Sequence, residues 1–303
     1  MSPIMPSSVI IRPIDPAQPG FAGEVWGVDI ARGVSAAEAA ALDAGMDRFA
    51  VLVFRDQRIS DEEQYAFSCH FGPMEKATGD IVTDPGARRL SLDINDISNL
   101  DRDGRVLARD DRRRLFSLGN LLWHSDSSFK PTPAKYSLLS ARAIPGAGGN
   151  TEFADMRAAW DALDEPTKCQ CRGLVCEHSQ LFSRGILGFT DFTEAQRREW
   201  EPVPQRLVRR HPKTGRLSLF LSSHAGAIQG WPVPEGRAFL RDLTEHATER
   251  RFVYAHVWRP FDLVMWDNRV VMHRGRRYDH AQVRDMHRTT VADSAPTLQQ
   301  PGP

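Results

Sequence analysis

The sequence predicts one domain, mainly β with flanking helices: a sandwich or barrel with the helices packed outside. Three observations carry this. Short apolar stretches of strand composition recur along the chain, among them "AVLVF" at residues 50–54 and "RFVYAHVW", "DLVMWDN" and "VVMHRG" after residue 250. Helical patterning is confined to a few segments. The 303 residues would suffice for one large domain or two ordinary ones, but no repeat, low-complexity stretch or long linker divides them.

The elements follow in order. "GFAGEVWGVDIARGVSAAEAAALDAGMDRFAVLVFRDQRIS" reads as strand, turn, helix, strand, with Ser35 capping an Ala-rich helix over Ala36–Phe49 and a buried strand over Ala50–Phe54. Ser60 opens a second helix with Glu63 three places on, the pattern of a capping box, and Gly72-Pro73 should end it. Residues 76–120 are the least patterned. They hold Gly/Asp turns, a candidate strand at Leu90–Ile94 and the charged run "ARDDRRR" at 108–114, which reads as a solvated loop. A loop of this length beside a candidate site reads as a lid. Next come a strand in "AKYSLLSARAIP" and a short one at Thr151–Phe153 leading into a helix. Residues 190–201 and 233–250 carry helical composition, "LSLFLSSHAGAI" reads as strand between them, and a strand pattern resumes in "AQVRDMHRTTV".

Composition narrows the function class. Lys+Arg and Asp+Glu both number 39, so there is no basic surface for nucleic acid, and anion binding should be local to clusters such as Arg112–Arg114 and Arg274–Arg277. No apolar run approaches the roughly 20 residues of a membrane span. The start, "MSPIMPSSVIIRPIDP", lacks the basic and apolar regions of a secretion signal. Cys169-Gln-Cys171 is too tight for a usual zinc pair, and no second pair follows, so the four cysteines read as reduced thiols of a cytoplasmic protein.

The chemistry is carried by "LLWHSDSSF", residues 121–129. In a strand, residues two apart face one side, so an extended Leu122–Ser127 would project His124 and Asp126 together. With a histidine from elsewhere they would form the two-His-one-carboxylate set of non-haem Fe(II) oxygenases. A lone His-x-Asp is weak on its own. Of the ten histidines, His273 in "WDNRVVMHRGRRYD" is best placed to complete it, because it follows an apolar strand and precedes a basic segment. Arg284, eleven residues later, is useless as a ligand but suited to gripping a carboxylate bidentately.

Together these residues make the chain resemble the taurine dioxygenase superfamily of Fe(II)/2-oxoglutarate-dependent oxygenases. Its phenoxyacetate-degrading branch is the nearer likeness. The matching stretches include "VLVFRDQ", "FGPMEK", "DISNLDRDGRV", "LWHSDSSF", "GGNTEFADMRAAWDAL" and "DLVMWDNRVVMHRGRRYD". The resemblance implies a double-stranded β-helix (jelly-roll) core. It implies His124, Asp126 and His273 as iron ligands, Arg284 and Thr151 as contacts to a carboxylate of 2-oxoglutarate, and Arg288 on the anionic end of the prime substrate. Asn120 corresponds to an asparagine near the bound substrates, and His224 could donate a hydrogen bond to substrate. Fe(II), 2-oxoglutarate and O2 are the implied cofactor and co-substrates, with a small anionic molecule as partner and a homo-oligomer expected.

The implied reaction hydroxylates the carbon between ether oxygen and carboxylate of an aryloxyacetate, giving a phenol and glyoxylate with succinate and CO2. Blander readings stand beside these. Thr151 could simply start a strand, Arg288 could pair with Asp285, and His224 could be a satisfied structural histidine. His211 and His287 read as structural, and Trp123 and Trp266 as packing beside the ligands. The rival functions are the same chemistry on another small anion (a 2-phenoxypropionate, an alkylsulfonate, a natural aryl-ether acid), a non-catalytic jelly-roll binding module, or a structural zinc site, whose shell two histidines and one aspartate would leave open.

Overall fold

Two capping boxes launch the first helices. Ser35 and Ser60 each accept from the backbone N–H three residues on while Glu38 and Glu63 accept from the cap N–H in return. The computed structural model describes residues 9–77, 83 and 85–303. After β1 (Ile10–Pro13) and β2 (Gly23–Trp26) come α1 (Ala36–Phe49), β3 (Val51–Phe54) and α2 (Asp61–Cys69). Ala50, expected to begin the strand, instead ends α1 in the left-handed region at φ 57°.

In the weakly patterned stretch, the strand expected at Leu90–Ile94 is turn, and the only strand among the described residues is β4 (Asn95–Asp96). The run 108–114 is not wholly loop: Asp111 accepts from the Arg113 N–H and caps α3 (Arg112–Ser117). Part of the expected lid, residues 78–82 and 84, lies outside the described residues, as does the start of the chain through residue 8.

The chain continues through β5 (Ala134–Ala143), β6 (Thr151–Asp155), α4 (Met156–Asp161), α5 (Glu165–Cys171), β7 (Val175–His178), α6 (Gln180–Ile186), α7 (Glu194–Glu199), β8 (Val203–Arg206), β9 (Val208–Arg210) and β10 (Leu217–Leu219). Then come β11 (Ala225–Ile228), α8 (Val233–Ala247), β12 (Val253–His256), β13 (Leu263–Asp267), β14 (Val271–Gly275) and β15 (Asp285–Ala292). "LSLFLSSHAGAI" is thus two strands, and α5 and α6 arise where no helix was expected.

A seven-stranded sheet, in the order β1-β2-β3-β13-β5-β15-β4, forms the main layer. Its outer face packs Leu42, Met46 and Phe49 of α1 and Phe67 of α2 against Leu52, Leu138 and Met265. Its inner face, with Val264, Trp266, Leu139 and Met286, meets Phe153 and Val271 of the facing sheet β12-β6-β14. Behind that sheet, α4 and α8 pack over a third apolar cluster that includes Met272, Trp160 and Leu240. The strands buried on both faces read as continuous apolar runs, as "LVMW" does. The site opens at the end of this sandwich, where β14 and the segment after α3 meet.

Candidate active site

β14 presents His273 from mid-strand, paired with Phe153 of β6 on one side. On the other side it makes an isolated antiparallel bridge to His124. The His124 N–H donates to the His273 carbonyl at 2.9 Å and the His273 N–H to the His124 carbonyl at 2.8 Å, which sets the ring centroids 4.2 Å apart. The extended stretch expected over Leu122–Ser127 is confined to this bridge. The chain turns at Asp126, and Ser127 takes φ 53°. The turn holds because side chains replace the ladder: the Asp126 N–H donates to Asn268 Oδ1 at 3.1 Å, and Ser125 Oγ donates to the carbonyls of Leu221 and Val271. His124 and Asp126 nevertheless converge. Asp126 Oδ1 lies 3.8 Å from His124 Nε2 and Oδ2 lies 3.7 Å from His273 Nε2.

These three residues form the one candidate metal cluster among the described residues, with ligand atoms all within 4.8 Å of one another. Their protonation suits a divalent cation. His124 Nδ1 donates to the Leu122 carbonyl at 2.7 Å, leaving the Nε2 lone pair toward Asp126. Burial lowers the pKa of both imidazoles, so they are neutral at pH 7. Burial pushes the Asp126 carboxyl up, but Arg288, His273 and His124 outweigh it and hold it well below the usual carboxylate range. Arg288 Nη1 donates to Oδ1 at 2.5 Å and Ser137 Oγ to Oδ2 at 2.7 Å, while Asn268 donates to Ser137 Oγ. Two neutral imidazoles and one ionised, outer-braced carboxylate are the donor set for Fe(II).

Two cavities adjoin the cluster and share Asn120, His124 and Arg288 in their walls. The larger, of about 560 Å³, also exposes His273, and among the described residues its charged lining is arginine throughout, with no acidic residue: Arg109, Arg114, Arg276, Arg277, Arg284 and Arg288. Arg284 Nη1 donates to the Ile97 carbonyl at 3.2 Å and its guanidinium faces the Tyr278 ring; no carboxylate pairs with it among the described residues. The Gly148-Gly149 turn packs beside it, both residues at positive φ, and a Cβ on Gly149 would lie 3.7 Å from Arg284 Nε. The positive φ values, rather than crowding by the guanidinium, are what call for glycine in this turn. Thr151 starts β6 opposite Gly275, and its Oγ1 accepts from Trp258 Nε1 at 3.0 Å. It lies behind the cavity wall rather than in it.

The smaller cavity, of about 140 Å³, is bordered by Asp126, Phe129, Arg184 and His224. His224 packs its ring against Phe129 at 4.9 Å and shares its Nδ1 with Ser183 Oγ at 2.9 Å. That hydroxyl already donates to the Gln180 carbonyl, so the imidazole proton sits on Nδ1. Burial keeps the ring neutral, which makes Nε2 an acceptor and not the donor that the sequence suggested.

Arg288 does not pair with Asp285, which is taken by Arg89 and His287. His287 bridges Asp61 and Asp285, and His211 is buried beside Asp267 and Arg269. Trp266 packs 4.6 Å from His273, and Trp123 lies under Arg274. Ser137, Asn268 and Arg184 went unread in the sequence. Asn268 sits in "WDN", legible only as a turn.

Residues 11–290 match the family described as "Taurine catabolism dioxygenase TauD, TfdA family". The chain is 46% identical over 288 residues to the alpha-ketoglutarate-dependent 2,4-dichlorophenoxyacetate dioxygenase of Cupriavidus pinatubonensis, spanning 95% of this chain and 99% of that one. It is 37% identical to the (S)-phenoxypropionate/alpha-ketoglutarate-dioxygenase of Sphingobium herbicidovorans, over 83% of this chain and 85% of that one. Among solved structures, AAD-2 in complex with Mn(II) and N-oxalylglycine superposes with a TM-score of 0.92 at 56% identity, covering 95% of this chain and 99% of that one. The His-Asp-His cluster and the sheet sandwich therefore sit in a chain that belongs to the TauD, TfdA family: an Fe(II)- and 2-oxoglutarate-dependent dioxygenase with a jelly-roll core.

Proposed function

We propose that the chain hydroxylates the carbon alpha to the carboxylate of an aryloxyacetate such as 2,4-dichlorophenoxyacetate, releasing a phenol and glyoxylate with succinate and CO2. The observation that carries this reading is the 46% identity, over nearly the full length of both chains, to a dioxygenase named for that substrate. Iron held by His124, Asp126 and His273 would couple decarboxylation of 2-oxoglutarate to insertion of one oxygen atom from O2 into a C–H bond. The rest falls to the chain's own groups. Arg284, whose guanidinium has no carboxylate partner among the described residues, takes the distal carboxylate of 2-oxoglutarate in the larger cavity, while Thr151, bonded to Trp258 behind the wall, supports that wall.

Arg288 spends Nη1 on Asp126, but among the described residues its buried Nε has no partner and can donate to the substrate carboxylate. One guanidinium would then tie the substrate to a metal ligand and hold the methylene beside it. Asn120 lies where the two cavities meet, and His224 and Phe129 wall the aryl ring. Ile97, Ser98 and Leu107, from the segment 76–120, line both cavities, which supports reading that segment as a lid. A small anion as substrate, a cytoplasmic location and a homo-oligomer complete the reading. No helix among the described residues is long and apolar enough to cross a membrane.

A panel of 2,4-dichlorophenoxyacetate, phenoxyacetate, both enantiomers of 2-phenoxypropionate, and taurine tests it. Phenol and succinate should appear one to one with the aryloxyacetates, and no sulfite should come from taurine. Turnover of taurine with no phenol from any aryl ether would overturn it. Preference for a 2-phenoxypropionate, the substrate named for the 37% relative, would favour the second reading.

A further inference from the structure

Four arginines are buried in the interior: Arg157, Arg184, Arg209 and Arg269. Three have their own carboxylate, Asp155 at 2.9 Å, Asp293 at 2.5 Å and Asp267 at 2.7 Å respectively. Arg184, on α6, has none among the described residues, although it is only 5% exposed. Among the described residues its side chain makes one hydrogen bond, from Nη1 to Ser183 Oγ at 3.3 Å, and its buried Nε has no partner. Burial pushes its pKa down to about 10, so it remains a cation at neutral pH. A buried, unpaired charge is costly and is retained where something else completes it.

The space for this guanidinium is built in. Gly119 needs no glycine for its own backbone, which is not at positive φ. A Cβ there would fall 2.0 Å from Arg184 Nη1 and 2.2 Å from Cζ. The missing side chain is what leaves room for the arginine. The guanidinium then lies over the Phe116 ring, 4.4 Å from its centroid, and borders the same cavity as Asp126, Phe129 and His224.

We propose that Arg184 is a second anion-recognition residue of the substrate cavity, selecting aryl-ether acids whose ring carries a further carboxylate. This rests on the reading that the cavity takes an aryl-ether acid. Within that reading, Arg284 takes 2-oxoglutarate and Arg288 the carboxylate beside the reacting carbon. Of the four buried arginines, Arg184 is the one left without a carboxylate among the described residues, and a chlorinated ring brings no charge to neutralise it. A ring carboxylate would accept from Nε and the free edge of the guanidinium.

The test is calorimetric binding to the anaerobic Fe(II)- and 2-oxoglutarate-loaded enzyme of phenoxyacetate and of 3- and 4-carboxyphenoxyacetate. Wild type should bind one carboxylated ring about 10- to 100-fold more tightly than the plain one, the range for a charge-assisted hydrogen bond. Arg184→Met should abolish that ratio and Arg184→Lys keep part of it. If Arg184→Met fails to fold, the wild-type ratio decides alone. A wild-type ratio of one or less, or one that survives in Arg184→Met, overturns the assignment and leaves Arg184 as packing on Phe116. Phenol release under air, measured separately, tests the reading beneath, so the two fail independently.

Discussion

Asp126 is shaped by what surrounds it more than by its own position. The Arg288 guanidinium and the Ser137 hydroxyl favour its ionised form, and burial opposes them. The Ser137 bond orients the carboxylate, so Ser137→Ala should weaken Fe(II) binding by about 10- to 100-fold with the fold intact, measured by titration under anaerobic conditions. Arg284→Ala should raise the KM for 2-oxoglutarate at least about 30-fold, for the loss of about 2 kcal/mol or more when one partner of a buried charge pair is truncated. A rise confined to the KM of the aryl-ether acid would exchange the roles of Arg284 and Arg288. At this scale the sequence showed the ligands and Arg284, because their spacing is imposed by the metal and a dicarboxylate. Ser137 and Asn268 were hidden, since they meet Asp126 only through the pairing of β13 with β5, which sets Trp266 against Ser137. Arg184 was hidden for another reason: its significance is the absence of a partner, visible only once the neighbours are placed.

The elements with local instructions were legible. The Ser35/Glu38 and Ser60/Glu63 boxes start helices where they were expected, because a cap is satisfied within four residues. The turn at Asp126 was not, since Asn268, 142 residues away, decides it, and the Leu90–Ile94 stretch, expected as strand, forms turn and bend instead. The junction of α2 with β15 makes a pH prediction. His287, on β15, lies 2.5 Å from Asp61 on α2 and 3.2 Å from Asp285, with Arg89 and Arg142 also facing these carboxylates. Burial lowers its pKa, but Asp285 and Asp61 outweigh burial and raise it above 6.5. A raised folded pKa contributes stability that is full below the unfolded value near 6.5 and is lost as pH climbs through the folded one. Thermal melts of wild type should therefore decline from pH 6.5 upward more steeply than those of His287→Gln. Parallel melting curves for the two would refute the junction's role.

Across the whole molecule, a net charge of zero conceals a strong local imbalance: among the described residues the larger cavity gathers six arginines and no acid. The fold class was legible because strands buried between layers leave apolar runs that helices do not. How the sheets close was not, because order such as β3-β13-β5-β15 joins strands more than a hundred residues apart. Closure is what delivers His273 to His124. Anaerobic Fe(II) titration of the whole chain, with Asp126→Ala and His273→Ala beside it, examines that delivery most directly. We predict one Fe(II) per wild-type chain and an affinity lowered in each variant by at least about 100-fold, beyond what outer-shell partners cost. Unchanged stoichiometry and affinity in both variants would place the iron elsewhere and contradict the account.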